Sequence, residues 1–223
     1  MSIVDPLTNM RVELVPMGEL SYLREAERRH LQADGVHWLQ NMKHLLTILE
    51  EIKPATYLDF GCSGGHFLSA VPIAQKYGFE PDPYARKKAE EKGLKVFETW
   101  EDVCSVSCIS VIDVVEHMES REVVSLIYRL RDKLQDSGHV LFQTDNPRSI
   151  AAQLDFYNDY THVRMYDMWT FANLLNLAGF CTIKGMKVIP GIDGSQMETL
   201  QNSMIPAYRD PYMKWVILAQ KVM

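Results

Sequence analysis

Beyond Pro54, short apolar runs rich in β-branched residues alternate with stretches of helical period. The runs predict strands over 56–60, 77–80, 94–97, 107–112 and 139–144. Between them, apolar positions recurring three and four apart predict helices over 66–75, 84–92 and 122–134. The last of these runs into Leu134-Gln135-Asp136-Ser137-Gly138, a helix stop followed by a turn. Strands that alternate with helices build a parallel sheet covered on both faces. A further helix over 168–178 stops at Gly179, and residues 180–188 and 215–221 read as sixth and seventh strands. Residues 189–212 hold three prolines, two glycines and little periodicity, the pattern of a long loop that serves as lid, partner surface or disordered segment. Ahead of Pro54, residues 20–30 and 36–51 have helical patterns and are expected to cap the ligand edge of the sheet.

The expected organisation is therefore one domain over 1–223, with an N-terminal helical cap (1–53) and an α/β core (54–223) that carries a loop insertion at 189–212. A length of 223 residues suits one sizeable core better than two. The formal net charge of −6 argues against a surface built to follow a nucleic-acid backbone. No run reaches the roughly 18 apolar residues of a membrane span, and the start, Met1-Ser2-Ile3-Val4-Asp5-Pro6, lacks a signal-peptide layout, so the cytoplasm is the expected compartment. Cys62, Cys104, Cys108 and Cys181 are too scattered for a disulfide framework and read as reduced thiols.

The most informative segment is Tyr57-Leu-Asp-Phe-Gly-Cys-Ser-Gly-Gly65, an apolar strand running into a glycine-rich turn with a helical pattern behind it. A carboxylate, Glu80, closes the next strand. A turn without side-chain bulk, a helix start and an acidic strand end make a site for an adenosine-type ligand. Gly61 permits the turn, and Gly64 and Gly65 let the main chain approach the ligand. Ser63 adds a hydroxyl, Asp59 receives turn amides or a ligand ammonium, and Glu80 receives ribose hydroxyls. The spacing is neither that of a nicotinamide-binding turn nor that of a phosphate-binding loop ending in Gly-Lys-Ser/Thr.

Leu58-Asp-Phe-Gly-Cys-Ser-Gly-Gly65 resembles the first motif of class I S-adenosylmethionine-dependent methyltransferases, and Gly78-Phe-Glu-Pro-Asp-Pro-Tyr-Ala85 resembles the second. Val111-Ile-Asp-Val-Val-Glu-His-Met118 is similar to the family's segment after strand four. The turn 134–140 departs from the family's usual Leu-x-Pro-Gly-Gly. The resemblance covers residues 54 to 180. It implies a Rossmann-like seven-stranded sheet of order 3-2-1-4-5-7-6 with strand seven antiparallel, and S-adenosyl-L-methionine as cofactor. It also implies cofactor contacts from Asp59, Gly61, Ser63, Gly65, Glu80 and Pro81, with Thr99 and Trp100 bordering the adenine and Asp113 and Val114 flanking the methionine end.

Methyl transfer to an alcohol needs an aligned nucleophile and a base or metal to take its proton. His117 has a pKa range suited to a base, with Glu116 to orient it; the alternative is a sheet-end histidine that caps a neighbouring loop. Asp159-Tyr-Thr-His-Val-Arg164 resembles a segment of methyltransferases from bacterial polysaccharide and sugar-modification gene sets, with Tyr160 where proline is common. On that resemblance, His162 is a second base or substrate clamp, and Arg164 and Tyr160 are substrate contacts, unless Arg164 only anchors its loop. Asp113, Glu116, His117 and His162 also resemble the divalent-metal set of small-RNA 2′-O-methyltransferases, with an aspartate where that set has glutamate. The expected function is O-methylation of a small polar acceptor such as a sugar, a nucleotide-sugar or a related intermediate, by a monomer or homodimer. The rivals are metal-assisted RNA 2′-O-methylation and a catalytically silent binding subunit.

Overall fold

The computed structural model describes residues 2–4, 11–13, 41–188 and 212–222. By packing, the chain divides into two compact units, Met1–Trp38 and Leu39–Met223. In the first, β1 (Ser2–Val4) pairs antiparallel with β2 (Arg11–Glu13), a pairing the sequence did not signal. The helix expected over 20–30 lies outside the described residues.

The second unit opens with α1 (Lys43–Ile52), the described part of the helix expected over 36–51. It buries Leu45, Ile48 and Leu49, one stripe of a 3.6-residue period, and stops at Lys53 in the left-handed conformation. There follow β3 (Thr56–Phe60), α2 (His66–Ala70), β4 (Gln75–Phe79), α3 (Pro83–Glu90), β5 (Val96–Phe97) and β6 (Val106–Ile112). After a 3₁₀ turn at Val115–His117 come α4 (Ser120–Lys133), β7 (Leu134–Asp145), α5 (Ile150–Asn158), α6 (Met168–Leu177), β8 (Phe180–Val188) and β9 (Lys214–Lys221).

The seven strands lie in the order β5-β4-β3-β6-β7-β9-β8. Neighbours from β5 to β7 pair parallel, and β9 runs antiparallel to both β7 and β8. This is the expected 3-2-1-4-5-7-6 sheet with its seventh strand reversed. The central strands are covered on both faces, so Leu58, Ile109, Val111, Phe142 and Ile217 are all fully buried. Among the described residues, no helix is long and apolar enough to cross a membrane.

Several boundaries differ from the sequence expectation for local reasons. The helix expected over 66–75 ends at Ala70, because Pro72 pushes Val71 into the extended region, and β4 already begins at Gln75. Residues 134–137, expected as a helix stop and turn, open β7 instead, with Leu134 paired to Val106 and Ser137 at φ 60°. Helix α5 was not foreseen; Ser149 caps it by accepting the Ala152 N–H at 3.4 Å. Helix α3 follows its signals closely, with Pro83 in its first turn and Asp82 accepting the Ala85 N–H at 2.8 Å.

Candidate active site

The turn after β3 is left-handed at three positions: Gly61 (φ 74°), Ser63 (φ 46°) and Gly65 (φ 73°). The Gly61 and Cys62 amides donate to the Phe79 carbonyl at 2.8 and 3.2 Å, which ties the turn to the end of β4. A Cβ on Gly61 would stand 2.7 Å from Val114 Cγ2, so this glycine exists to let the segment after β6 lie against the turn. Gly65 has a packing reason as well: a Cβ there would run into Leu94 and Ala89 in the α3 region. The Gly64 carbonyl accepts from Lys92 Nζ.

Glu80 is nearly buried and closes the turn from the other side. Its two carboxylate oxygens accept the Ser63 N–H at 2.8 Å and the Asp82 N–H at 3.0 Å. Burial raises its pKa, and these two backbone bonds pull against that rise. Each oxygen keeps a further lone pair, enough to receive a vicinal diol. Pro81 is exposed, and its carbonyl accepts from Arg86 at 3.2 Å. Thr99 donates its hydroxyl to Asp102 at 2.5 Å. Trp100 packs edgewise on Phe60 and Phe79, with ring centroids 5.5 and 5.4 Å apart. Together with Met118 and the α4 residues Glu122 and Leu126, these rings line a cavity of about 500 Å³ beside the ends of β3 and β4.

Asp59 is sealed in the sheet. Tyr57 Oη bonds to Ser110 Oγ, which in turn donates to Asp59 Oδ1 at 2.6 Å. Asp59 is thus the acceptor at the end of a buried chain, and burial lifts its pKa to about 7. A carboxylate whose folded pKa exceeds its unfolded value costs no stability below the unfolded pKa and progressively more as pH rises toward the folded one. Asp59→Asn keeps an oxygen for Ser110 and removes the charge. The variant is expected to melt several degrees higher than the wild type at pH 8 and alike near pH 4, on the order of the shift that a few kcal/mol gives a domain this size. A gain independent of pH would refute this account of Asp59.

Across the carboxyl edge, Asp113 sits at φ 52° and donates its amide to the Gln143 carbonyl at 2.9 Å. Its side chain meets Lys214 Nζ at 3.1 Å and Gln143 Nε2 at 3.3 Å. Val114 follows as the wall against Gly61. The 3₁₀ turn then presents Glu116 and His117. Glu116 is buried and accepts from Thr144 Oγ1 at 2.8 Å; burial and the nearby Asp113 charge lift its pKa to about 8 against the pull of Lys214. Its backbone carbonyl accepts the Val163 and Arg164 amides at 2.7 and 3.1 Å, stapling the segment after α5 to the turn.

That staple brings His162 to His117, with ring centroids 4.6 Å apart. One ligand atom from each of Glu116, His117 and His162 falls within 4.8 Å of the others. The hydrogen bonds fix both tautomers. Thr161 gives its only hydroxyl proton to Asp159 at 2.7 Å, so it accepts from His117 Nδ1–H at 2.9 Å. His162 Nδ1 faces the Phe156 carbonyl at 3.0 Å and must donate to it. Both imidazoles are left with a basic Nε2. Burial, then repulsion from His162, holds the His117 pKa below the ordinary histidine value.

Not every expected residue joins this cluster. Asp113 is turned to Lys214 and Gln143 rather than toward the imidazoles. Arg164 donates to Ser120 Oγ at 2.6 Å and lies 5.5 Å over the Tyr166 ring, contacts that tie it to its own surroundings. Tyr160 is exposed at the loop's surface. Lys214, Asp145, Gln143, Thr144 and His44 were missed. The signal for three of them was available: Gln143-Thr144-Asp145 is a polar run ending an apolar strand.

A family model described as a methyltransferase domain matches residues 28–184. The fold is similar to that of a SAM-dependent methyltransferase from Archaeoglobus fulgidus, at 17% identity and TM-score 0.67, over 91% of this chain and 100% of that one. It is also similar to magnesium protoporphyrin IX methyltransferase from Synechocystis PCC 6803 with bound SAH, at 12% identity and TM-score 0.66, over 92% and 96%. A third likeness is a S-adenosylmethionine-dependent methyltransferase from Clostridium acetobutylicum, at 10% identity and TM-score 0.63, over 91% and 99%. No curated protein matches the chain significantly.

Proposed function

The chain belongs to the methyltransferase-domain family as an S-adenosylmethionine-dependent enzyme of class I fold, and on that premise we propose that it methylates a hydroxyl oxygen of a small polar acceptor, a sugar or nucleotide-sugar being the first choice. When bound, S-adenosylmethionine supplies an electrophilic methyl group on a sulfonium. The chain's own residues divide the remaining work. Gly61, Ser63 and Glu80 form the cradle for the adenosine part, Trp100 and Thr99 border its base, and Asp113 and Val114 flank the methionine end. His117 Nε2 receives the acceptor's hydroxyl proton, while Thr161 and Asp159 hold the ring in the tautomer that leaves this nitrogen basic.

The observation that carries this reading is the pair of imidazoles, both with a basic Nε2, packed beside a buried carboxyl group. An acceptor amine has its own lone pair, whereas an alcohol needs a base to become a nucleophile. Labelled S-adenosylmethionine offered to a panel of sugars, nucleotide-sugars, phenols, amines and short RNAs is expected to label a hydroxylated small molecule, with the methyl located on oxygen by mass spectrometry. Labelling confined to amines or to RNA would sink the proposal.

A second reading rests on the same three side chains. Two imidazoles and one carboxyl group are a donor set that suits a divalent transition metal. Glu116, His117 and His162 would hold the ion, which would lower the pKa of an acceptor hydroxyl. Calorimetric titration with Mn²⁺ separates the readings without relying on turnover. Saturable binding that His162→Ala abolishes supports the ion, whereas full activity after exhaustive chelation removes it from the mechanism.

A further inference from the structure

Strand β9 is the one strand of the seven whose first residue reaches the carboxyl edge, because it alone runs opposite to the other six. That first residue is Lys214, paired in register with Asp145. Its ammonium stands 2.7 Å from Asp145 Oδ1 and 3.1 Å from Asp113 Oδ1, with the Asp145 and Lys214 side chains 4% and 19% exposed. A cation taken out of water is costly unless close carboxylates repay the desolvation, as these two do.

The residue it grips is Asp113, held at φ 52°, a conformation that a non-glycine residue keeps only when its surroundings over-determine it. Three constraints converge there. The backbone amide is fixed by the Gln143 carbonyl at 2.9 Å. The carboxylate is held on one side by Lys214 and on the other by Gln143 Nε2, at 3.3 and 3.4 Å from its two oxygens. Gln143 is itself fully buried, and since its amide nitrogen faces a carboxylate, its Oε1 must accept from His44 Nε2 at 2.6 Å. A chain of side chains from α1, β7 and β9 thus closes on one carboxylate.

We propose that Lys214 is the positioning residue of the methyl-transfer site, fixing Asp113 against the methionine end of the cofactor, with Gln143 and His44 as the opposing brace. This rests on the reading that Asp113 borders the methionine end. Two of the three Lys214 N–H donors go to Asp113 and Asp145, and the role assigned to it is exerted through Asp113. Its loss should therefore matter only while Asp113 is present.

The test is a mutant cycle on S-adenosylmethionine affinity, measured by calorimetry. Lys214→Met alone strands two carboxylates, so it is paired with Asp145→Asn, which removes the buried charges together. Asp113→Ala and the D145N/K214M pair are each expected to weaken binding by about tenfold or more, the worth of a charge-assisted bond. The triple variant D113A/D145N/K214M is expected to bind no more weakly than Asp113→Ala. Multiplying losses in the triple variant would make Lys214 merely structural and overturn the proposal, as would wild-type affinity in the D145N/K214M pair. If that pair does not fold, Lys214→Arg carries the test: it keeps the charge but not the reach, so affinity should fall less than in Asp113→Ala, and an equal or greater fall counts against positioning. Wild-type binding with an unaffected Asp113→Ala would topple the assignment of Asp113, and this inference with it. Absence of binding by the wild type would instead strike the cofactor premise itself.

Discussion

Gly61→Ala is expected to abolish calorimetrically detectable binding of S-adenosylmethionine and to lower the melting temperature by about 5–15 °C, from a cost of roughly 2–5 kcal/mol. Two independent penalties add. The residue sits at φ 74°, where an L side chain costs about 1–2 kcal/mol. The new Cβ would also stand 2.7 Å from Val114 Cγ2, and a valine methyl, stiff at χ1, has little room to yield; overpacking of this kind costs about 1–3 kcal/mol. The strain is placed where function is concentrated. Gly61 and Cys62 share the Phe79 carbonyl, the next residue along the turn donates its amide to Glu80, and Val114 follows Asp113, so any relief moves the cradle or the segment after β6. The double variant G61A/V114A separates the two penalties. It should recover the packing part and leave the backbone part, giving a melting temperature between those of the single variant and the wild type. A Gly61→Ala protein that melts and binds like the wild type would show that the turn is not the strained cradle described here.

The fold was legible because its determinants are local and repeated. Alternating apolar runs and helical periods gave the strand and helix sequence, and the family resemblance implied the sheet topology with its reversed seventh strand. What was misread turned on single residues. Pro72 shortened α2, and the Leu134–Ser137 segment joined β7 by pairing with Val106, a contact that sequence cannot announce. Of the expected site residues, Gly61, Ser63 and Glu80 meet in one turn, and Glu116, His117 and His162 meet through a backbone staple between segments read as separate clusters. The site was illegible where a side chain's role depends on distant partners. Lys214 looked like the residue before a strand, and only the antiparallel register with β7 brings it to Asp113 and Asp145. Arg164 reads as an anion contact in sequence, and its contacts with Ser120 and Tyr166 depend on distant segments. Gly65 sits inside the motif, and its close packing on Ala89 and Leu94 behind the turn is a constraint that the motif does not announce.

The second large effect is expected at His117. His117→Ala should lower kcat by about 10²–10⁴, the usual share of a positioned general base, while S-adenosylmethionine affinity stays within about threefold of wild type, because in the proposed reading the imidazole acts on the acceptor. The pH profile carries the sign. Burial and the neighbouring His162 ring lower the His117 pKa, so the neutral, basic form persists to lower pH than for a free histidine. Activity of the wild type should therefore hold level through pH 7 and 6.5 and fall only on the acid side of the ordinary histidine value. Thr161→Val tests the orientation directly. It removes the hydroxyl that accepts from His117 Nδ1 and passes its own proton to Asp159, and leaves only the longer bond to the Thr161 carbonyl at 3.4 Å, so the ring is held less firmly. A fall in kcat of about tenfold is expected with the melting temperature little changed, since an exposed hydroxyl bond contributes about 1 kcal/mol. His162 decides between the two chemistries. If His117 acts alone as base, His162→Ala costs less than His117→Ala, and the acid limb of the profile moves to higher pH because a repulsive neighbour has gone. If the pair instead holds an ion with Glu116, the two alanine variants lose activity equally and both lose Mn²⁺ binding. Retention of wild-type kcat by His117→Ala would remove this histidine from the chemistry under either reading.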